Sequence, residues 1–149
     1  MTYTELKDEL YLVRERERVI RSKQKDLENL KDDYLARLPS GVTDYSKDRL
    51  QSTPDPDKAL INLIDDINRD TQKLIEIITE LREANEKYKT LILTTPTVGG
   101  EVLRLFFIEG YSMRQTSKRL NYAEKYTWKL WREAIENMTE VINNAKDKS

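Results

Sequence analysis

The chain contains no cysteine and no histidine. Disulfides, thiolate metal sites, a cysteine nucleophile and a histidine general base are therefore excluded. Glycine and proline are scarce, four of each in 149 residues, which suits long helices better than a turn-rich β architecture. No apolar run approaches the roughly 20 residues that span a bilayer. The opening MTYTELKDEL carries too much charge to be the apolar core of a signal peptide. A phosphate loop and a nucleophile elbow are both missing. Asp65, Asp66 and Asp70 sit at helical spacing and read as solvated charge, not as a catalytic set. The expectation is a non-enzymatic protein of the cytoplasm, with no cofactor, no metal site, no small-molecule substrate and no membrane partner.

What is present is charge and helical periodicity. Charged residues make up 36% and hydrophobic residues 38%, too few apolar side chains for one thick core. Leu6, Val13, Ile20, Leu27 and Tyr34 recur every seventh residue, with Leu10, Glu17, Gln24, Lys31 and Leu38 four places after each. A sustained heptad repeat is a coiled-coil seam, here apolar at its ends and polar in the middle. Thr4 is the expected cap of this first helix, with Lys7 where a capping box would want an acid. Arg14, Arg18, Arg21 and Lys25 share a face, read as solvated charge with a Glu17–Arg21 pair, or else as a stripe for phosphate or polymerase. A second heptad helix follows, with rows Leu60, Ile67, Leu74, Leu81, Tyr88 and Ile64, Thr71, Ile78, Asn85, Ile92. Asn85 in that seam suits register selection or a solvated end of the coil.

Two matching seams predict a long antiparallel helical hairpin over residues 1–93. Its arms are roughly 50 Å long at about 1.5 Å per residue. Residues 39–58, rich in Pro, Ser, Thr and Asp, form its linker. Ile61, Leu63, Ile75 and Ile77 widen the apolar stripe of the second arm beyond what one helix covers. Either the C-terminal domain or a second copy must bury them, and a homodimer is the expectation.

Residues 94–149 read as a separate helix-turn-helix domain. Thr95 before Pro96 is the expected cap of its first helix, whose opening turn Gly99 and Gly100 weaken, and Gly110 closes it. Ser112 caps MRQTSKRL, and Asn121 supplies a left-handed turn residue. Tyr122 is expected to plug that turn from below. The last helix carries Thr127, Leu130, Trp131, Ala134, Ile135 and Met138 on one stripe. Its other face holds Glu124, Lys125, Trp128, Lys129 and Arg132. Between Ser112 and Arg132 the cations are Arg114, Lys118, Arg119, Lys125, Lys129 and Arg132, against the single acid Glu124. A local excess of this kind is what a nucleic-acid binder needs, whatever the charge of the whole chain.

The stretch EVLRLFFIEGYSMRQTSKRLNYAEKYTWKLWREAIENM, residues 101–138, resembles region four, the C-terminal helix-turn-helix, of bacterial sigma factors. The layout of two long helices around a DYSKDRLQSTPDPD linker resembles small sigma-like proteins of phages and prophages, including late-gene activators of the ArpU and RinA type. The resemblance implies a DNA-binding transcription regulator in a bacterial host cell, working on double-stranded DNA and with RNA polymerase as a candidate partner. It places the last helix in the major groove. Arg114, Gln115, Lys118, Arg119, Glu124, Lys125, Trp128, Lys129 and Arg132 are the candidate DNA contacts.

Several positions depart from the family pattern. Thr116 and Ser117 replace Ile and Ala, and Thr127 replaces Val, which would cost stability if the hydroxyls lacked partners. Ala123 replaces a capping Ser. Phe106 replaces an Arg that is usually exposed, and is expected either to dock the domain on the hairpin or to offer a handle to a partner. Trp131 reads as core. Trp128 is read as stacking on sugar or a thymine methyl, or as a subunit or hairpin contact. Two other functions fit the same modules: a DNA-packaging protein of the small-terminase type, and an adaptor that grips polymerase or another regulator without touching DNA.

Overall fold

The structure, a computed structural model, describes residues 1–37 and 56–147. The fold is all-α, with no strand among the described residues. Helix α1 spans Tyr3–Arg37 and α2 spans Pro56–Leu93. Helix α3 covers Val98–Leu103 and runs into a π-helical stretch, Arg104–Ile108. Helices α4, Met113–Leu120, and α5, Glu124–Asp147, complete the chain. The expected linker lies mostly outside the described residues. Its last part, from Pro56, already belongs to α2.

The chain divides into two compact units. One comprises residues 21–79. There Tyr34 and Ile78 are buried, and the Tyr34 hydroxyl donates to the Asp70 carboxylate across the antiparallel helices. Ile61, Ile75 and Ile77 are exposed, as are Leu60 and Ile64, and Leu63 is half-buried. The widened apolar stripe thus has no cover among the described residues.

The other unit joins residues 1–20 to residues 80–149. Its core takes Leu6 and Leu10 from α1 and Ile92 from α2, then Val102, Leu103, Phe106, Phe107 and Met113. Trp131, Ala134, Ile135 and Met138 of α5 close it. Residues on both sides of the expected boundary at 93/94 therefore share one core. The reason is the seam itself: its apolar ends find α5 and the two phenylalanines to bury against.

The helix starts differ from expectation in instructive ways. The cap of α1 is Thr2, not Thr4. Glu5 N–H donates to the Thr2 hydroxyl at 3.2 Å and Thr2 N–H to the Glu5 carboxylate at 3.3 Å, a reciprocal capping box. Thr95 does not cap α3 either. Its hydroxyl turns back to donate to the Leu91 carbonyl at 2.8 Å, sealing the end of α2, and Thr97 takes the cap position of α3. Gly99 and Gly100 are buried contact points. A Cβ on Gly99 would fall 2.8 Å from Cβ of Ala134, and one on Gly100 would fall 2.5 Å from the Thr95 carbonyl oxygen. Their missing side chains let α3 lie against α5 and against its own entry turn.

Asn85 is fully buried in the seam. Its amide donates to the Val13 carbonyl at 3.2 Å and to the Glu17 carboxylate at 3.1 Å. Glu17 is also buried, and its second partner is Lys89 at 3.1 Å; the expected pair with Arg21 is replaced by this cross-helix one. A polar node in an apolar seam is satisfied in only one alignment of the two helices, so it selects register. Replacing Asn85 by Leu is expected to cost about 1–3 kcal/mol, because the Glu17 carboxylate loses its buried donor. Adding Glu17→Leu to Asn85→Leu should recover most of that loss. Urea unfolding of the single and double variants checks both.

Candidate nucleic-acid interface

The approach to α4 is set by backbone geometry. The π-helical stretch ends with Glu109 N–H donating to the Arg104 carbonyl at 3.0 Å, followed by Gly110 at φ 80°. A left-handed residue here suits glycine. Tyr111 N–H then reaches back to the Leu105 carbonyl at 3.0 Å, closing the turn. Ser112 caps α4 with a full capping box: its hydroxyl accepts from Gln115 N–H at 3.2 Å, while Gln115 Oε1 accepts from Ser112 N–H at 3.0 Å. The Oε1 of Gln115 is thus spent on the cap, which leaves only its amide N–H₂ for the DNA role assigned to it.

The turn between α4 and α5 runs through Asn121 at φ 59°, ψ 39°, the left-handed conformation its identity suggests. Tyr122 does not plug this turn. It is exposed and lies edge-on to Tyr126, ring centres 5.4 Å apart. Its N–H donates to the Ser117 carbonyl at 3.0 Å, so the backbone alone seals the helix end. The three hydroxyls between the helices are all satisfied. Thr116 donates to the Ser112 carbonyl, Ser117 to Arg114 and Thr127 to Ala123, each at 2.9 Å. The desolvation cost foreseen for them is avoided, because each hydroxyl uses a carbonyl of its own helix or cap.

Phe106 needs correction as a partner surface. It is 5% exposed. Tyr11, Phe107, Trp128 and Trp131 lie edge-on to it, with centres 4.9–6.0 Å away. The Arg14 guanidinium covers its outer face at 4.5 Å. Phe106 is the residue through which α1 joins the C-terminal helices, and it offers no handle to another protein. Arg14 is likewise withdrawn from the stripe read on α1. Its Nε donates to the Phe106 carbonyl at 3.0 Å, and its Nη2 lies at 3.4 Å from the carbonyls of Gly110 and Tyr111. Arg18 pairs with Glu15 on its own helix.

Helix α5 presents distinct sides. Thr127, Trp131, Ala134, Ile135 and Met138 are buried. Lys125, Lys129 and Arg132 are exposed on the far side, at spacings that place them in one row. The row continues with Glu136 and Glu140, also exposed, so positive charge is confined to the first part of the helix. Trp128 borders the row at 37% exposure, its inner edge against Trp131 at 5.2 Å. Glu124 is exposed in the first turn. On α4, Arg114, Lys118 and Arg119 are exposed. None of these six cations has an ion pair among the described residues.

Arg104 shows the contrast. It is bound to Glu101 at 2.9 Å and Glu109 at 3.4 Å, and the hydrogen bond to Glu101 holds its guanidinium above the usual arginine range. Arg119 instead lies over the Tyr111 ring, its guanidinium carbon 4.1 Å from the ring centre. Tyr111 and the withdrawal of Arg14 escaped the sequence reading, since neither follows from helical spacing. No group of acidic side chains able to hold a metal ion occurs among the described residues. No described helix is long and apolar enough to cross a membrane.

Because Phe106 is enclosed by rings and a guanidinium, Phe106→Arg, which restores the residue of the sigma pattern, is expected to destabilise the chain by at least about 3 kcal/mol. Thermal and urea unfolding followed by circular dichroism measure it. Scans against protein-family models, curated proteins and solved structures found no match for the chain.

Proposed function

We propose that the protein is a sequence-specific DNA-binding transcription regulator of the sigma-region-four-like kind, acting in a bacterial host cell with phage or prophage genes as its targets. One observation carries the reading. Six exposed cations on α4 and on the first turns of α5 have no acidic partner among the described residues, on helices whose other side is core. Elsewhere Arg104, Arg18, Arg69 and Lys89 meet carboxylates, while Lys25, Lys58, Lys73 and Arg82 are exposed without an ion pair among the described residues. What sets α4 and the start of α5 apart is that Glu124 is the single acid between Arg114 and Arg132. Charge left without a carboxylate partner is suited to phosphate, because binding then releases counterions without first breaking a salt bridge. The tight turn at Asn121 and the row Lys125, Lys129, Arg132 fit a helix entering the major groove by its N-terminal part. Glu136 and Glu140 would be repelled by phosphate, which limits how much of α5 lies in the groove. Lys118 and Arg114 suit the flanking backbone, and Trp128 suits a thymine methyl or sugar. The resemblance to region four adds RNA polymerase as a second partner.

The reading includes a homodimer formed through the exposed Ile61, Ile75 and Ile77 and the half-buried Leu63. At about 3.6 residues per turn Ile61 and Ile75 fall on one flank of α2 and Leu63 and Ile77 on the other, and apolar side chains left exposed on a helix suit an interaction surface.

Two outcomes are expected. Lys129→Glu combined with Arg132→Glu should lower affinity for duplex DNA on the order of a hundredfold or more at physiological salt. Circular dichroism should stay unchanged. A double variant that still shifts DNA would refute the groove assignment. Sedimentation equilibrium should give twice the mass of the chain, and Ile61→Glu with Ile75→Glu should return it to a monomer. A large ring would point instead to a packaging protein.

A further inference from the structure

We propose that Arg119 is a preset phosphate clamp and that Tyr111 is the residue that positions it. The inference rests on the DNA-binding reading and adds a named contact to it. An arginine on a helix surface ordinarily samples many rotamers, and ordering it on a ligand costs free energy. Arg119 is already ordered, because its guanidinium lies on the face of the Tyr111 ring at 4.1 Å. The mode of holding matters as much as the holding. A salt bridge consumes N–H donors, as Glu101 and Glu109 consume those of Arg104. A ring face attracts the cation through its quadrupole and takes no N–H. The planar fork of Arg119 therefore keeps its donors for a phosphate, which it matches in a bidentate way.

The ring itself is held from below. Tyr111 N–H is bonded to the Leu105 carbonyl at 3.0 Å, after Gly110 has turned the chain. On its other side the Tyr111 carbonyl faces Nη2 of Arg14, 3.4 Å away, and that guanidinium is anchored on Phe106 by its 3.0 Å bond and its ring contact. Two arginines thus bracket one short turn. Arg14 spends its donors on carbonyls and fixes the turn, and Arg119 uses only a ring and keeps its donors. In this arrangement the first half of α1 contributes to the DNA-binding surface through Arg14 without reaching DNA.

The test is fluorescence anisotropy of a labelled mixed-sequence duplex with the full chain, over a salt series. The variants are Tyr111→Leu, Tyr111→Phe, Arg119→Lys and Arg119→Ala. Arg119→Ala should lower the magnitude of the log–log salt slope by about 0.9, the loss of one phosphate contact. Tyr111→Leu keeps an apolar side chain but no ring face, and should weaken binding about two- to fivefold. Tyr111→Phe should bind like the parent, since the ring rather than the hydroxyl is required. Arg119→Lys should keep most of the slope but lose affinity, because an ammonium cannot form the planar fork. The effects should be the same on every duplex sequence, and circular dichroism should show each variant as helical as the parent. If Arg119→Ala leaves slope and affinity unchanged while the parent binds, the clamp is refuted and the DNA-binding reading stands. If Arg119→Ala weakens binding but Tyr111→Leu does not, the positioning role is refuted. A parent chain that does not bind the duplex overturns the clamp and the DNA-binding reading together.

Discussion

Phe106 is enclosed between Tyr11 and Arg14 of α1 and the two tryptophans of α5, with Phe107 beside it. Large rings meeting edge to face bury much apolar area and add a directional preference to it. In a chain with so few apolar residues, this cluster concentrates the packing in one place. It makes the first turns of α1 and the last of α2 part of the same core as α3, α4 and α5. The exposed cations owe their positions to it, since α5 is oriented by what Trp131 and its neighbours bury.

Polar groups near that core are provided for, with the indole N–H of Trp131 as an exception. The hydroxyls of Thr116, Ser117 and Thr127 bond to carbonyls close in sequence. Asn85 and Glu17 satisfy each other across the seam, with Lys89 completing the set. Arg14 meets the carbonyls at the end of the π-helical stretch, where the backbone leaves acceptors open. The indole N–H of Trp131 is buried without a hydrogen-bond partner, amid aromatic rings. The six cations of α4 and of the first turns of α5 have no ion pair among the described residues, unlike Arg104 and Lys89.

Much of this was legible in the residues. The heptad rows announce two long helices, and Leu6, Val13, Ile20, Ile78 and Ile92 are buried as their spacing requires, whereas Leu60 and Ile64 at the start of the second rows are exposed. Gly110, Ser112 and Asn121 announce the turns around α4, and each adopts the conformation its chemistry favours. Those features depend on local rules of period, capping and backbone sterics. The errors share another origin. Thr4 and Thr95 are plausible caps by local pattern, yet Thr2 with Glu5 offers a better box and Thr95 has a nearer carbonyl. Tyr122 has the sequence position of a turn plug, but the turn closes through backbone bonds and leaves it outside.

The sequence by itself determined the helical class, the two seams, the short helix pair after Gly110 and the concentration of cations there, because each is encoded over a few residues. Only the tertiary structure decided which surfaces are free. Phe106 reads either as a docking residue or as a handle for a partner, and Arg14 as an exposed cation; they cover each other across 92 residues of chain. Gly99 and Gly100 looked like weak points and proved to be contacts that admit no side chain. Arg119 and Tyr111 lie close in sequence, but the ring faces the guanidinium only because Gly110 turns the backbone between two packed elements. Whether a side chain is buried, paired or available depends on what distant segments bring to it, and no local period carries that information.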